Sequence, residues 1–212
     1  MIDRGLIVSG TDTNVGKTVL SALLMSALPD YSYWKPIQAG LLDDSDTECV
    51  RKLSGCDALR ILPEQYVFAN PLSPHAASQL EGVRVDTEAL LLPSQSLLII
   101  EGAGGLLVPL NENTLFIDIF KRWELPVLLS CRSGLGTINH TLLSIEALHN
   151  RSIPLLGVVM IGDHNISNER AIEHYSDASV IGRIPNLPLL TSETLREVYR
   201  TEFQRFETAL IA

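Results

Sequence analysis

The sequence predicts a three-layer α/β fold, a mainly parallel central sheet with helices on both faces. Three observations carry that expectation. Short apolar runs bounded by turn residues recur along the chain, and amphipathic segments of helical length separate several of them. The runs Leu97-Leu98-Ile99-Ile100 and Val127-Leu128-Leu129 are apolar throughout, as strands buried on both faces of a parallel sheet must be. The first apolar run passes through a short loop directly into an amphipathic segment, the order of a βα unit.

Leu6-Ile7-Val8 centres a first strand over Gly5 to Ser9, followed by a helix over Gly16 to Ala27. A second strand is placed over Tyr31 to Pro36 and a helix over Asp46 to Leu53. Leu62 to Pro93 is rich in proline and less periodic, which predicts loops and short helices crossing the sheet edge. Strands are then expected over Ser96 to Ile100 and Pro126 to Ser130, a helix over Leu135 to His149, and a strand over Leu155 to Met160. A helix over Asn168 to Tyr175 and a strand over Ser179 to Ile184 precede the last helix, Glu193 to Leu210. That helix carries Leu195, Tyr199, Phe203, Phe206 and Leu210 at spacings of three and four, a stripe that reads as core.

At 212 residues the chain is expected to form one compact domain over positions 1–212. Its 16 basic and 25 acidic residues give a formal net charge of -9, without the Lys/Arg run that would track a nucleic-acid backbone or an anionic membrane. Small molecules or proteins are therefore the expected partners, with no nucleic acid and no membrane among them. Cys49, Cys56 and Cys131 lack metal or redox spacing and read as reduced thiols. The amino-terminal residues have neither the apolar core nor the cleavage site of a signal peptide, so the expected location is cytoplasmic.

The strongest motif is Gly10-Thr11-Asp12-Thr13-Asn14-Val15-Gly16-Lys17-Thr18, because it follows an apolar strand and opens a helix. Backbone N–H groups at a helix start point at anionic oxygens, Lys17 can neutralise β- and γ-phosphates, and the Thr18 hydroxyl can ligate magnesium. The fold class thereby narrows to a P-loop NTPase fold. The spacing departs from G-x-x-x-x-G-K-[ST], which would need glycine at position 11, where this chain has Thr11.

Two charged residues sit at the ends of apolar strands. Lys35 precedes Pro36 at the carboxyl edge, where open α/β sheets bind ligands and a lysine can neutralise a substrate anion. Glu101 follows Leu97 to Ile100, the place where an acidic side chain meets magnesium, and Gly102-Ala103-Gly104-Gly105 lets ligand approach the backbone. Asp46, in the stretch Asp43-Asp44-Ser45-Asp46, reads by itself as part of a solvated loop and helix cap. His75 and His140 stand near no serine or cysteine motif and are assigned to structure or loop hydrogen bonding.

The loop, then Trp34-Lys35-Pro36-Ile37-Gln38-Ala39-Gly40, Asp46, Ser73-Pro74-His75, Glu101 to Gly105, and Gly134-Leu135-Gly136-Thr137-Ile138-Asn139-His140, resemble in order and spacing the motifs of dethiobiotin synthetase. The resemblance spans about three quarters of the chain. It implies an ATP- and magnesium-dependent ligase that closes the ureido ring of dethiobiotin from 7,8-diaminopelargonic acid and carbon dioxide or bicarbonate. It implies Lys17 and Lys35 as catalytic groups and Thr18, Asp46 and Glu101 as magnesium ligands. The nucleotide would be held by Asn14, Val15, Gly16, Lys17, Thr18, Val19, Asp46, Glu101, Gly102, Ala103 and Gly104. Pro185, Asn186 and Leu187, within a segment that resembles the family's second base-contacting loop, would complete that set. The substrate would be held by Thr13, Lys35, Ala39 and Pro74, together with Gly136, Thr137 and Asn139 reaching across a homodimer interface.

Three departures from the family pattern stand out. Ala39 replaces the usual serine or threonine, Ile161-Gly162 replaces Asn-Asp with Asp163 one residue on, and Asn14 stands where glutamate is frequent. The second puts adenine recognition in doubt and leaves other nucleoside triphosphates open as co-substrates. Two other readings compete. A partitioning or septum-positioning switch ATPase usually starts its loop with Lys-Gly-Gly, where this chain has Thr11-Asp12-Thr13. A cobyrinate-amidating enzyme is expected to continue into a glutamine-hydrolysing domain, for which this length leaves no room.

Overall fold

The computed structural model describes residues 5–41, 44–95 and 97–211. In chain order, β1 (Gly5–Gly10) leads through the loop into α1 (Lys17–Ala27), then β2 (Ser32–Trp34), β3 (Ile37–Ala39) and α2 (Asp46–Ser54). After a short 3-10 turn (Ala58–Arg60) come β4 (Ile61–Leu62), β5 (Tyr66–Phe68), α3 (Pro74–Leu80), β6 (Leu98–Gly105) and α4 (Phe116–Trp123). The chain continues with β7 (Val127–Arg132), α5 (Thr137–His149), β8 (Leu155–Ile161), α6 (Ile166–Tyr175), β9 (Val180–Ile184), α7 (Ser192–Glu202) and α8 (Gln204–Ile211).

Among the described residues, seven strands form one sheet in the order β4-β2-β6-β1-β7-β8-β9, and every pairing in it is parallel. Side chains alternate between its two faces. Leu6 and Val8 of β1 join Leu20, Leu23 and Leu24 of α1, with Leu195 and Phe206 from the last two helices, on one face. Ile7 joins Phe116, Phe120 and Trp123 of α4 on the other, and Leu129 and Val158 continue that side against Ile145 and Ile172 of α5 and α6. This is the three-layer arrangement the strand-helix alternation predicts.

Three expectations need correction. The strand expected over Tyr31 to Pro36 pairs with β6 only through Trp34; after Lys35-Pro36 the chain enters a second, two-stranded sheet in which β3 pairs with β5. Pro36 has no N–H to continue a ladder. The expected helix Glu193 to Leu210 is two helices that meet at Phe203 (φ -117°, ψ 20°). Leu195, Phe203 and Phe206 nevertheless all reach the core. The helix expected from Leu135 starts at Thr137, because Gly136 before it is left-handed (φ 89°). Ser96, the first residue of another expected strand, and Asp43 of the acidic stretch lie outside the described residues.

Candidate active site

The phosphate loop joins β1 to α1 and is fastened to the neighbouring strand β7. Thr11 N donates to Ser130 O (3.0 Å), Ser130 Oγ donates to Val15 O (2.6 Å), and Arg132 Nη2 donates to Thr13 O (3.2 Å). Gly16 caps α1 at φ 83°, a conformation strained for any L side chain, and a Cβ on it would lie 2.5 Å from Ile161 Cδ1 and displace that side chain. Gly16 has no side chain to cap the first turn of α1, which leaves N–H groups there for anionic oxygens. Lys17 folds back over the loop and donates to Asp12 O (2.8 Å).

Four sequence-predicted residues meet beneath this loop. Thr18 Oγ1 donates to Asp46 Oδ1 (2.8 Å) and Glu101 Oε1 (3.0 Å). Lys35 Nζ lies 2.5 Å from Asp46 Oδ2 and 3.0 Å from Glu101 Oε1, and donates to Gly102 O at 3.4 Å. Each comes from a different element: Thr18 from the first turn of α1, Lys35 from the end of β2, Asp46 from the start of α2 and Glu101 from β6. A hydroxyl and two carboxylates converging on one point form a hard, all-oxygen donor set, which suits magnesium completed by phosphate oxygens.

The electrostatics follow from burial and proximity. Burial, and then the charge of Lys35, pull the Lys17 ammonium down to about 8, against the carboxylates around it. Burial also works to lower Lys35, but Glu101 and Asp46 outweigh it and hold that ammonium above its ordinary value. For Asp46, burial works to raise the carboxyl, while Lys35 and the Thr18 hydroxyl outweigh it and hold it below the usual range.

A cleft of about 990 Å³ opens over these groups. Of the predicted residues, Thr13, Asn14, Gly16, Lys17, Thr18, Val19, Lys35, Ala39, Asp46, Pro74, Glu101, Ala103 and Gly104 line it. Val15 is buried beneath the loop, and Gly102 turns its carbonyl to Lys35. Pro185, Asn186, Leu187, Gly136, Thr137 and Asn139 are not brought to this cleft within the protomer. Asn139 is exposed, Thr137 is buried with its hydroxyl on Arg132 O (2.5 Å), and Asn186 Nδ2 donates to Asp163 Oδ1 (2.8 Å). His75 Nδ1 shares a hydrogen with Ser73 Oγ (2.8 Å), the loop role expected of it.

Sequence reasoning missed Gln38, Tyr33 and Arg132. Gln38 lines the cleft, accepts from Asp46 N (3.1 Å) and donates to Ala39 O and Gly40 O (3.3 and 3.2 Å), tying two cleft walls together. Its place next to Ala39 was a signal, since a long amide beside a missing hydroxyl invites inspection. Tyr33 and Arg132 act through contacts far apart in sequence and left no such mark.

Strand, loop and helix start define a nucleotide-dependent protein of the P-loop class. A family model described as an AAA domain matches residues 4–194. The MinC:MinD cell division complex of Aquifex aeolicus shares the fold at a TM-score of 0.53 and 16% identity, over 92% of this chain and 86% of that one. MinD of Pyrococcus horikoshii with Mg-ADP does so at 0.52 and 16% identity, over 93% and 86%. Far stronger is the similarity to proteins named ATP-dependent dethiobiotin synthetase. The protein from Bradyrhizobium diazoefficiens is 50% identical over 95% of this chain and 96% of its own, and that from Brucella anthropi 48% identical over 95% of each. The chain belongs to the dethiobiotin synthetase family. Relatives at that identity favour neither the switch ATPase nor the cobyrinate-amidating alternative.

Proposed function

We propose that this chain is an ATP-dependent carbon-nitrogen ligase of biotin biosynthesis, closing the ureido ring of dethiobiotin. One amine of 7,8-diaminopelargonic acid adds to carbon dioxide to give a carbamate. A carbamate oxygen takes the γ-phosphoryl group as ADP leaves, and the second amine then attacks the carbonyl carbon and expels phosphate. Each step crowds negative charge, so positioned cations and N–H groups are the tools it needs. The observation that carries this reading is the placing of both Lys17 and Lys35 against Thr18, Asp46 and Glu101 in one cleft.

In this reading Lys17 and the N–H groups of the α1 first turn hold the β- and γ-phosphates. Lys35 neutralises the carbamate and the transferring group, and Thr13 orients the carbamate oxygen. Thr18, Asp46 and Glu101 would hold magnesium, which would supply charge neutralisation on the phosphates. Ala39 and Pro74 form the diamine side, and Gln38 fixes the wall between it and Asp46. Val19 and Gly102 to Gly104 back the nucleotide. The whole chain, 1–212, acts as one P-loop unit, in the cytoplasm, as a homodimer in which Gly136, Thr137 and Asn139 enter the partner's cleft. The exposed Leu135 beside them supports that last assignment. Among the described residues no helix is long and apolar enough to cross a membrane.

The test is a coupled assay of ADP release with diamine, bicarbonate, magnesium and each nucleoside triphosphate. Release that requires both diamine and bicarbonate supports the reading. Hydrolysis indifferent to the diamine and stimulated by a protein partner overturns it.

A further inference from the structure

Tyr33 and Glu101 are both fully buried, and the Tyr33 hydroxyl donates to Glu101 Oε2 at 3.0 Å. Their placement follows from strand register. Tyr33 on β2 pairs with Ile99 on β6, and Ile99 and Glu101, two residues apart, share the sheet face beneath α1. The Tyr33 ring packs in that core and its hydroxyl reaches toward the carboxyl end of β6, where the carboxylate sits. The other oxygen, Oε1, accepts from Thr18 Oγ1 and from Lys35 Nζ, each at 3.0 Å.

The two oxygens of Glu101 therefore have different tasks. Oε2 is satisfied inside the core by a neutral donor that no substrate reaches. Oε1 faces the cleft and shares its donors with groups that have work elsewhere, since Thr18 turns to the cation and Lys35 to the substrate anion. The last torsion of a glutamate is broad and two-fold, so a carboxylate released by both would rotate unless something held its plane. Tyr33 is the donor that stays.

We propose that Tyr33 is a positioning residue for the cation site: its hydroxyl fixes the Glu101 carboxylate so that Oε1 is presented to nucleotide-bound magnesium. The inference rests on the magnesium placement proposed above and adds the group that holds one of its ligands in register. Partners that orient metal ligands in this way typically change metal affinity by about 10- to 100-fold when removed.

The test uses Tyr33→Phe, which keeps the ring and its core contacts and deletes only the donor, with the fold checked by circular dichroism. Mn2+ is the probe, titrated by electron paramagnetic resonance into protein saturated with ADP, alongside ADP affinity in EDTA. The expected result is an Mn2+ dissociation constant raised about 10-fold or more, with metal-free ADP affinity unchanged. In turnover, the apparent KM for magnesium rises while kcat at saturating magnesium recovers. Equal Mn2+ affinity in variant and wild type overturns the role of Tyr33 and leaves the cation site standing. Equal losses of Mn2+ and metal-free ADP binding mark a packing role and overturn it too. Wild-type protein that binds Mn2+ no better with ADP than without overturns the cation site and this inference together.

Discussion

Lys35 and Asp46 meet at 2.5 Å, and the same ammonium lies 3.0 Å from Glu101, so one buried cation balances two carboxylates at the floor of the cleft. Removing a partner from such a cluster leaves uncompensated buried charge. Lys35→Ala should lower stability by about 3 kcal/mol and turnover by ~100-fold or more, because the charge is needed most in the transition state. Its far-ultraviolet circular dichroism stays that of the wild type. Lys17→Ala should lose as much turnover with little loss of stability, since among the described residues Lys17 bonds only the Asp12 carbonyl. Denaturant titrations and steady-state rates separate the two, and near-normal turnover in Lys35→Ala would sink its assignment.

A pH dependence follows from Lys17, whose ammonium burial and Lys35 bring down from 10.5 to about 8. Between those values the unfolded chain holds more protons on this residue than the folded one. The group therefore works against folding below about pH 8, and that penalty is relieved as pH rises toward 10.5. Bound phosphate favours the charged form and reverses the shift. ADP affinity in EDTA should accordingly weaken above about pH 8, with proton uptake on binding. Calorimetry at about pH 8.5 in two buffers of different ionisation enthalpy measures that uptake, and a buffer-independent heat would refute the coupling.

Arg60 makes a stability prediction remote from the chemistry. Its guanidinium donates to Leu28 O (2.5 Å), Met25 O (3.2 Å) and Tyr31 O (2.8 Å), closing the carboxyl end of α1, whose last turn has no basic residue of its own. Arg60→Ala should cost about 2 kcal/mol, since hydrogen bonds from a charged donor are lost and carbonyls are left behind. Urea unfolding with an unchanged m-value and unchanged kcat would show it. A cost within experimental error would mean that water replaces the guanidinium.

The contrast between Arg60 and Lys17 shows what the sequence made legible. Lys17, Thr18 and Lys35 lie in one contiguous loop and helix start or at a strand end, so local order alone placed them at the carboxyl edge of the sheet; Glu101, expected just after its strand, instead lies within β6, which runs on through the glycines to Gly105. Asp46 needed the family resemblance, because Ser45 and Asp46 read equally well as a helix cap, and Ser45 does cap α2. Tyr33, Arg60 and Arg132 bond partners 68, about 30 and 119 positions away, separations at which periodicity carries no information. Helix α4 was missed although Phe116, Ile117, Phe120 and Trp123 mark its buried stripe.

The proposed homodimer has a direct test. Asn139 is exposed and stands apart from its own cleft, so its loss should act on the partner's site. Lys17→Ala and Asn139→Ala proteins, each inactive alone, should recover on mixing up to about a quarter of wild-type activity, the share expected if subunits exchange at random. Sedimentation of an active monomer would remove the shared site.

The last prediction concerns the base of the nucleotide. Ile161 ends β8 and its side chain packs over Gly16 at the start of α1, beside the phosphate loop. Where the family pattern supplies an amide, this chain presents an aliphatic group that pairs with no base edge. Discrimination is strong when a site's polar groups are left unpaired by the wrong ligand, and an aliphatic wall imposes no such penalty. Asp163 and Asn186 lie nearby, tied to each other by the bond from the Asn186 amide to Asp163 Oδ1 at 2.8 Å, and their remaining polar atoms are the alternative groups that a base could meet. The enzyme should therefore use ATP, CTP, GTP and UTP with kcat/KM values within ~100-fold of one another, since a wider gap requires about 2.7 kcal/mol of specific contacts. Ile161→Asn should widen the gap in favour of ATP. A wild-type preference for ATP above ~100-fold, unchanged in Ile161→Asn but lost in Asp163→Ala, would show that the Asp163–Asn186 pair reads the base instead.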